Sequence, residues 1–563
     1  MGKKKLRLVL CWHMHQPEYR DLQTGEFVLP WTYLHVIKDY VDMAAHLEAV
    51  PDARAVVNFA PILLKQIEEY ARQVNGYLHE RTALTDPLLA ALVSTHIPTD
   101  PEDRLTLLKN CLRANRDRQI NRYPAFQRLA EMIEWLDQHF DALAYINEQF
   151  IIDVLVWYHL AWLGETVKLT DKRVQHLIEK GSAYTQHDRL EMLEIIGEQL
   201  SHVIQRYKVL ARKGRIELSV TPYAHPIMPL LLDIHSTHQA MPEAPLPNVT
   251  HYSGGKQRVT WHLEKAIQTF ERFFGFKPKG CWPSEGAISS ETLKILGDSG
   301  FTWTASGGSV LGNSLNLPEN EKPQGYHHPF KLLKTKITCF FRDDGLSDLI
   351  GFHYSRWHAD DAVANLIQHL ENIHAHEPED SIVSIIMDGE NAWEYFPHNG
   401  HFFLSALYQR LSNHPAIELT TFSECLKDKK AIKPLKKLVA GSWVYGTFST
   451  WIGDGDKNRG WDMLGDVKLA FDKAIATNRL TDKQIKEAEH QLAICEGSDW
   501  FWWFGDYNPG EAVSNFEKQY RLNLSNLYRL LGEEPPAYLS LSFTQGSGTP
   551  AMGGVMRAGI EQC

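Results

Sequence analysis

Apolar residues run almost unbroken through several short stretches of this chain, at 6–12, 54–58, 216–221, 280–282, 301–305, 337–342 and 382–388. Most of these runs are continuous rather than alternating, the pattern of strands covered on both faces. Between them lie segments with helical spacing of apolar positions, such as 290–300 and 360–374. Strand, helix and strand in repetition predict a parallel α/β sheet, a form that can close into a barrel. One insertion breaks the alternation: from about 63 to 213 the pattern is nearly all helical, with periodic stretches at 129–140, 150–163 and 190–212. A second helical region covers 402–426 and resumes over 467–531, and the lysine-rich 427–437 reads as a solvated connection.

The expected organisation is a barrel over 1–400 with its helical insertion around 63–213, then a C-terminal helical domain over 401–540. The Gly-, Ser- and Thr-rich residues 541–563 read as a flexible tail. No internal repeat and no phosphate-cradling glycine pattern is present.

Composition narrows the function classes. The 563 residues are 44% hydrophobic and 23% charged, as in a globular protein, and the net charge of −11 argues against a dedicated nucleic-acid binder. The N-terminal apolar run stops at His13, too short for a signal peptide, and no run approaches the ~20 residues that span a bilayer. The seven cysteines are scattered without a Cys-X-X-Cys pair, as in a protein with reduced thiols. These features predict a cytoplasmic protein with no membrane partner, and leave the oligomeric state open. Aromatic residues reach 11%, which suits a large core or sugar-stacking surfaces equally.

Function in parallel barrels gathers at the C-terminal ends of strands. There this chain places Trp12-His13-Met14-His15-Gln16-Pro17, Pro222-Tyr223-Ala224-His225, Pro283-Ser284-Glu285-Gly286, Asp343-Asp344 and Asp388-Gly389-Glu390-Asn391-Ala392-Trp393. Glu285 and Asp388 are candidates for the two carboxyl groups that glycoside hydrolysis requires, one to attack or activate water and one to protonate the leaving oxygen. Trp282 and Trp393 lie near them in sequence, and apolar surroundings raise a carboxyl pKa toward the range of an acid catalyst. His13, His15, His225 and Asp388 form a rival set that could bind a water-activating metal ion. On the residues alone, both readings stand.

These motifs resemble glycoside hydrolase family 57. Its five short regions are matched in order by His15-Gln16-Pro17, by Glu217 with 221–226, by Gly280-Cys281-Trp282-Pro283-Ser284-Glu285-Gly286, by 387–395, and by Ser498-Asp499-Trp500-Phe501-Trp502-Trp503. Leu29-Pro30-Trp31, His35, Lys38-Asp39-Tyr40 and 448–454 are most similar to the amylopullulanase and α-amylase type branch. The resemblance implies a (β/α)7 barrel, an incomplete relative of the eight-stranded barrel, with a C-terminal helical domain that contributes to the cleft.

It implies a retaining enzyme acting on α-1,4 and further on α-1,6 linkages of glycogen- or maltodextrin-like α-glucans. Glu285 would be the nucleophile and Asp388 the acid/base. A glucanotransferase or branching enzyme using the same acids, a metal-dependent barrel hydrolase and a silent glucan-binding protein are the alternatives. His13, His15, Glu217, His225, Glu390 and Asp499 are expected to bind substrate, and Arg342 to hold Glu285 or Asp388 ionised. Trp31, Trp282, Trp393, Trp451 and Trp500 are candidate stacking platforms, about half of them expected to touch sugar. No cofactor is expected in catalysis; a structural calcium ion near Asp343, Asp344, Asp454 and Asp456 is compatible with the sequence.

Overall fold

The computed structural model describes residues 4–317, 326–548 and 556–557. Its strands are β1 (Leu6–Met14), β2 (Ala55–Phe59), β3 (Ile216–Val220), β4 (Gly280–Cys281), β5 (Trp303–Ser306), β6 (Phe330–Leu332), β7 (Thr338–Phe341), β8 (Ile382–Asp388), β9 (Ile417–Leu419) and β10 (Lys433–Leu435). All seven expected strands are present. They lie in the order β7-β5-β4-β3-β2-β1-β8, every neighbouring pair parallel.

The sheet curls until β7 and β8 face each other across a gap. The Asp343 N–H donates to the Ser384 carbonyl at 2.8 Å, and Arg342 Nε donates to the Ile386 carbonyl at 2.8 Å. The result is an incomplete barrel. It is a mixed sheet, because β6 joins β7 antiparallel.

Three strands escaped the sequence pattern: β6, β9 and β10 are three residues each, too short to show a period. β10 falls inside the lysine-rich 427–437, which is therefore partly sheet rather than a free connection. β9 pairs with β1 and β10 with β6, so the sheet takes strands from beyond residue 400.

Along β1 side chains alternate between two cores, as a strand's period of two requires. Leu8, Leu10, Trp12 and Met14 pack outward with the helices. Val9 and Cys11 face the barrel interior with Val56, Trp282, Trp303, Ala305, Phe340 and Ile386, and Phe422 and Cys425 join this inner core. Continuing the inward set past Cys11 brings His13 to the mouth, in register with Asn58 of β2 and Asp388 of β8.

The insertion is helical as expected, running from Pro61–Glu80 to Gln186–Arg212 between β2 and β3. Its helices start where the chemistry favours a start. Prolines at 61, 87, 101 and 124 open helices, and Asp86 and Asp100 accept hydrogen bonds from the first-turn amides. The C-terminal helices Gly455–Ala476, Asp482–Cys495 and Gly510–Leu530 pack together.

Of the expected tail, the described residues 541–548 are tied down. Thr544 Oγ1 donates to Asp456 Oδ2 at 2.7 Å, and the amides of Ser547 and Gly548 bond to the carbonyls of Asp506 and Asn508. The rest of that tail, apart from Met556 and Arg557, lies outside the described residues. No described helix is long and apolar enough to cross a membrane.

Candidate active site

A cleft of about 660 Å³ opens at the C-terminal ends of the strands, lined by residues from both the barrel and the C-terminal helices. Seven of the expected substrate-binding or catalytic side chains on the barrel line it, namely His13, His15, His225, Glu285, Arg342, Asp388 and Glu390. Trp31 and Asp499 line it as well.

Glu285 sits four residues beyond the last residue of β4, in a one-turn 3-10 segment. Its backbone is left-handed, with φ 57° and ψ 23°. Such a conformation costs a non-glycine residue about 1–3 kcal/mol and persists only where the surroundings impose it. The next residue, Gly286, is also left-handed at φ 59°, and a Cβ there would meet the Trp282 ring at 2.9 Å. His225 across the cleft has φ 60°. Strain thus falls on two cleft residues.

The Glu285 carboxylate receives Trp443 Nε1 on Oε2 at 3.0 Å and Ser498 Oγ on Oε1 at 3.4 Å, with His225 Nδ1 3.7 Å from Oε1. Burial, then the negative charges of Asp388 and Asp499, push the Glu285 pKa up to about 8. Burial raises Asp388 to about 6, held back by the Asn391 amide that donates at 2.9 Å and by the charges of His15 and Arg342. Each acid is within electrostatic reach of a negative neighbour, and the two together hold one proton near neutrality. Glu390 is also buried, and burial with Asp388 and Asp39 keeps its carboxyl well above the usual range.

The three histidines form a stack. His15 and His225 ring centroids are 3.8 Å apart at 18°, and those of His13 and His225 are 5.2 Å apart at 16°. His13 Nδ1 meets Asn58 Oδ1 at 2.7 Å, His15 Nε2 meets Asp499 Oδ1 at 2.8 Å, and His225 Nδ1 meets Ser498 Oγ at 2.8 Å. Burial, then the neighbouring imidazoles, lower His13 to about 3 and His225 well below the ordinary histidine value. Both are neutral.

Their nitrogens lie within 4.8 Å of one another, the one such His, Cys, Asp or Glu group among the described residues, and Asp388 is outside it. His13 Nε2 and His225 Nε2 lie 3.1 Å apart, within hydrogen-bonding distance. The three nitrogens thus meet the composition and spacing of a metal site as well as those of an imidazole hydrogen-bond cluster. The acids suggested for calcium are engaged by the protein: Asp343 with His327, Asp344 with Arg342 and Ser309, Asp454 with the Asp456 amide, and Asp456 with Thr544.

Several expectations are corrected by position. Glu217 points into the barrel, but from the second residue of β3, roughly 10 Å below the strand's end at ~3.3 Å per residue. There it accepts Trp303 Nε1 at 2.7 Å and the Ser423 amide at 2.9 Å, a structural role at the barrel's base. Arg342 bonds neither candidate acid; it is held by Asp344 at 3.0 Å and Asp348 at 2.7 Å, and reaches Asp388 only through its charge.

Among the indoles, Trp31 alone of the five expected platforms lines the cleft. Trp282 is part of the inner barrel core, and Trp393 packs on Trp12 and donates to the Gly389 carbonyl at 2.9 Å. Trp451 is buried beside Trp502 and Trp461, and Trp500 donates to the Ile494 carbonyl at 2.7 Å. In their place Trp162, Trp443, Trp502 and Trp503 line the cleft. Trp502 and Trp503 belong to the tryptophan-rich run already singled out, whose helical turn decides which ring faces outward. For Trp162 and Trp443 no local signal exists.

A sequence model of glycosyl hydrolase family 57 matches residues 9–436, well over half of the chain. The chain belongs to this family. No curated protein matches it significantly in sequence.

Among solved structures it is similar to the family 57 branching enzyme of Pyrococcus horikoshii, at 15% identity and a TM-score of 0.57, with 96% of this chain and 92% of that one covered. The branching enzyme of Thermococcus kodakaraensis, solved with glucose, gives 14%, 0.57, 96% and 92%. The α-amylase AmyC of Thermotoga maritima gives 11%, 0.53, 94% and 93%. At these identities the likeness shows a shared fold. The family 57 model ends at residue 436, so Trp443 and Asp499, which line the cleft, and Ser498, which bonds Glu285, come from beyond the matched segment.

Proposed function

We propose that this family 57 protein cleaves α-1,4 linkages of glycogen- or maltodextrin-like glucans with retention, through a glycosyl-enzyme on Glu285. The observation that carries this reading is the pair of part-buried carboxyls, Glu285 and Asp388, at one barrel mouth within a cleft lined by indoles. In the first step a Glu285 oxygen bonds to the anomeric carbon as the glycosidic C–O bond breaks, and the Asp388 proton goes to the leaving oxygen. In the second, Asp388 takes a proton from water, whose oxygen displaces Glu285. The neutral imidazoles of His13 and His225 suit sugar hydroxyls. His15 Nδ1 and Glu390 Oε2, buried and without a hydrogen-bond partner among the described residues, supply further hydrogen-bonding capacity.

In the free cleft the shared proton favours Glu285, the reverse of the order the first step needs. Positive charge growing on the sugar favours ionised Glu285 and drives the proton to Asp388. Activity requires one proton on the pair whichever carboxyl holds it at rest. A bell-shaped kcat/KM profile centred near pH 7 is expected: below about 6 both acids are protonated and the nucleophile is lost, and above about 8 both are ionised and the acid is lost. A profile flat from pH 5 to 9 would count against the pair.

Transfer to a sugar hydroxyl in place of water is the second reading. It is favoured by indoles brought to the cleft from separate segments, Trp31, Trp443, Trp502 and Trp503, which offer stacking surface to more than one glucan chain. Chromatography of maltoheptaose digests separates the two. Products of six glucose units or fewer with new reducing ends mean hydrolysis; longer or branched products at constant reducing power mean transfer. An absence of any cleavage would sink both readings.

A further inference from the structure

Segment 441–443, outside every motif singled out in the sequence, is stapled along the strained loop that carries Glu285. Gly441 and Ile288 exchange both backbone hydrogen bonds, at 2.9 and 3.1 Å, and the Trp443 amide donates to the Glu285 carbonyl at 3.0 Å. The same residue reaches the side chain, Trp443 Nε1 to Glu285 Oε2 at 3.0 Å. Trp443 thus grips Glu285 at both ends, and its own freedom is small. Its ring packs edge-on against Trp282 at 5.3 Å and 70°, and the Arg342 guanidinium sits 5.6 Å from its centroid. Behind it Gly307 comes so close that a Cβ there would lie 2.6 Å from the Trp443 Cα.

We propose that Trp443 is the positioning residue of the nucleophile: its indole N–H fixes the Glu285 carboxylate, and its backbone amide holds Glu285 in the left-handed conformation that presents it to the cleft. This assignment rests on the reading of Glu285 as nucleophile. A donor aimed at the carboxylate favours the ionised form as well as the orientation. The indole also faces the cleft, so a sugar platform is the competing role, and the two roles differ in what they move.

Trp443→Phe keeps a ring and the backbone amide but removes the indole N–H. On maltoheptaose, kcat is expected to fall by about tenfold or more, with KM changed less than about threefold. The midpoint of the kcat/KM–pH profile should move upward by about half a unit to one unit, because the carboxylate loses a donor. Trp443→Gln, which restores an N–H without the ring, should return the midpoint toward the wild-type value. An unmoved midpoint in Trp443→Phe with a raised KM overturns the assignment and leaves a platform. So does an equal displacement in both variants, which a general loosening of the loop would give. Glu285→Ala reads the underlying assignment separately. Full activity there removes the nucleophile itself, whereas its loss together with an unmoved midpoint in Trp443→Phe removes only the positioning role.

Discussion

Glu285→Ala is expected to lower kcat on maltoheptaose by about four to six orders of magnitude, the scale on which removal of a covalent nucleophile is felt. Asp388→Ala should cost less, about 10²- to 10⁴-fold, because general acid catalysis contributes that much. The two losses have different signatures. α-Glucosyl fluoride expels its leaving group without a proton, so Asp388→Ala should form the glycosyl-enzyme from it at a rate approaching wild type. Glu285→Ala should remain inactive, since no leaving group replaces a missing nucleophile. Mass spectrometry of the quenched Asp388→Ala reaction then locates the added glucosyl mass, expected on the peptide containing Glu285. Fluoride hydrolysis unaffected in Glu285→Ala but lost in Asp388→Ala would reverse the two roles.

The largest effect on stability is expected at Glu496, which no sequence pattern marked. Its carboxylate is fully buried and accepts Arg258 Nη2 at 2.9 Å, His262 Nε2 at 2.7 Å and the Tyr252 hydroxyl at 2.6 Å. Burial alone would raise this carboxyl, but Arg258 and His262 hold it down at about 2. The group joins the barrel-side helix Gly255–Phe274 to the C-terminal helices, directly before the residues that bring Ser498 and Asp499 into the cleft.

Glu496→Gln leaves the Arg258 charge buried and unpaired. It should lose about 3–5 kcal/mol at pH 7, read from urea unfolding. The sign with pH follows from the depressed pKa. The ionic stabilisation is complete above about pH 4.5, the unfolded value, and is lost as pH falls toward about 2. The gap between wild type and Glu496→Gln should therefore narrow on acidification, and a gap that widened would contradict the ion-pair account. Because Ser498 follows two residues later, kcat should fall as well. The paired replacement Arg258→Met with Glu496→Leu should recover most of the stability, as filling a buried ion-pair site with apolar groups often does.

Much of the fold and part of the cleft were legible in the chain itself. Continuous apolar runs of three to seven residues, each ending in polar or aromatic residues, favour strands covered on both faces. Seven such runs with helical segments between them therefore specify a parallel, curling sheet. Polar residues that interrupt such a run at its C-terminal end, His13 after Cys11 or Asp388 after Met387, land at the barrel mouth because the period of a strand admits nothing else. That physics is local, and sequence carries it.

The rest depended on contacts between distant segments. Glu217 shared the inward face of β3 with Ser219 but stood at the wrong end of the strand, a matter of depth that composition does not encode. Trp282, Trp393 and Trp500 sit beside chemistry in sequence yet fill cores, because an indole can turn toward whichever side is dry. Trp443 and Ser498 reach Glu285 across sequence separations of 158 and 213 residues, through backbone pairing and helix docking that leave no periodic trace. What the chain determined alone was the seven-stranded parallel part of the sheet and the two acids at its mouth. What only tertiary structure decided was which groups hold them, since hydrogen bonds between remote segments depend on where the packed helices place them.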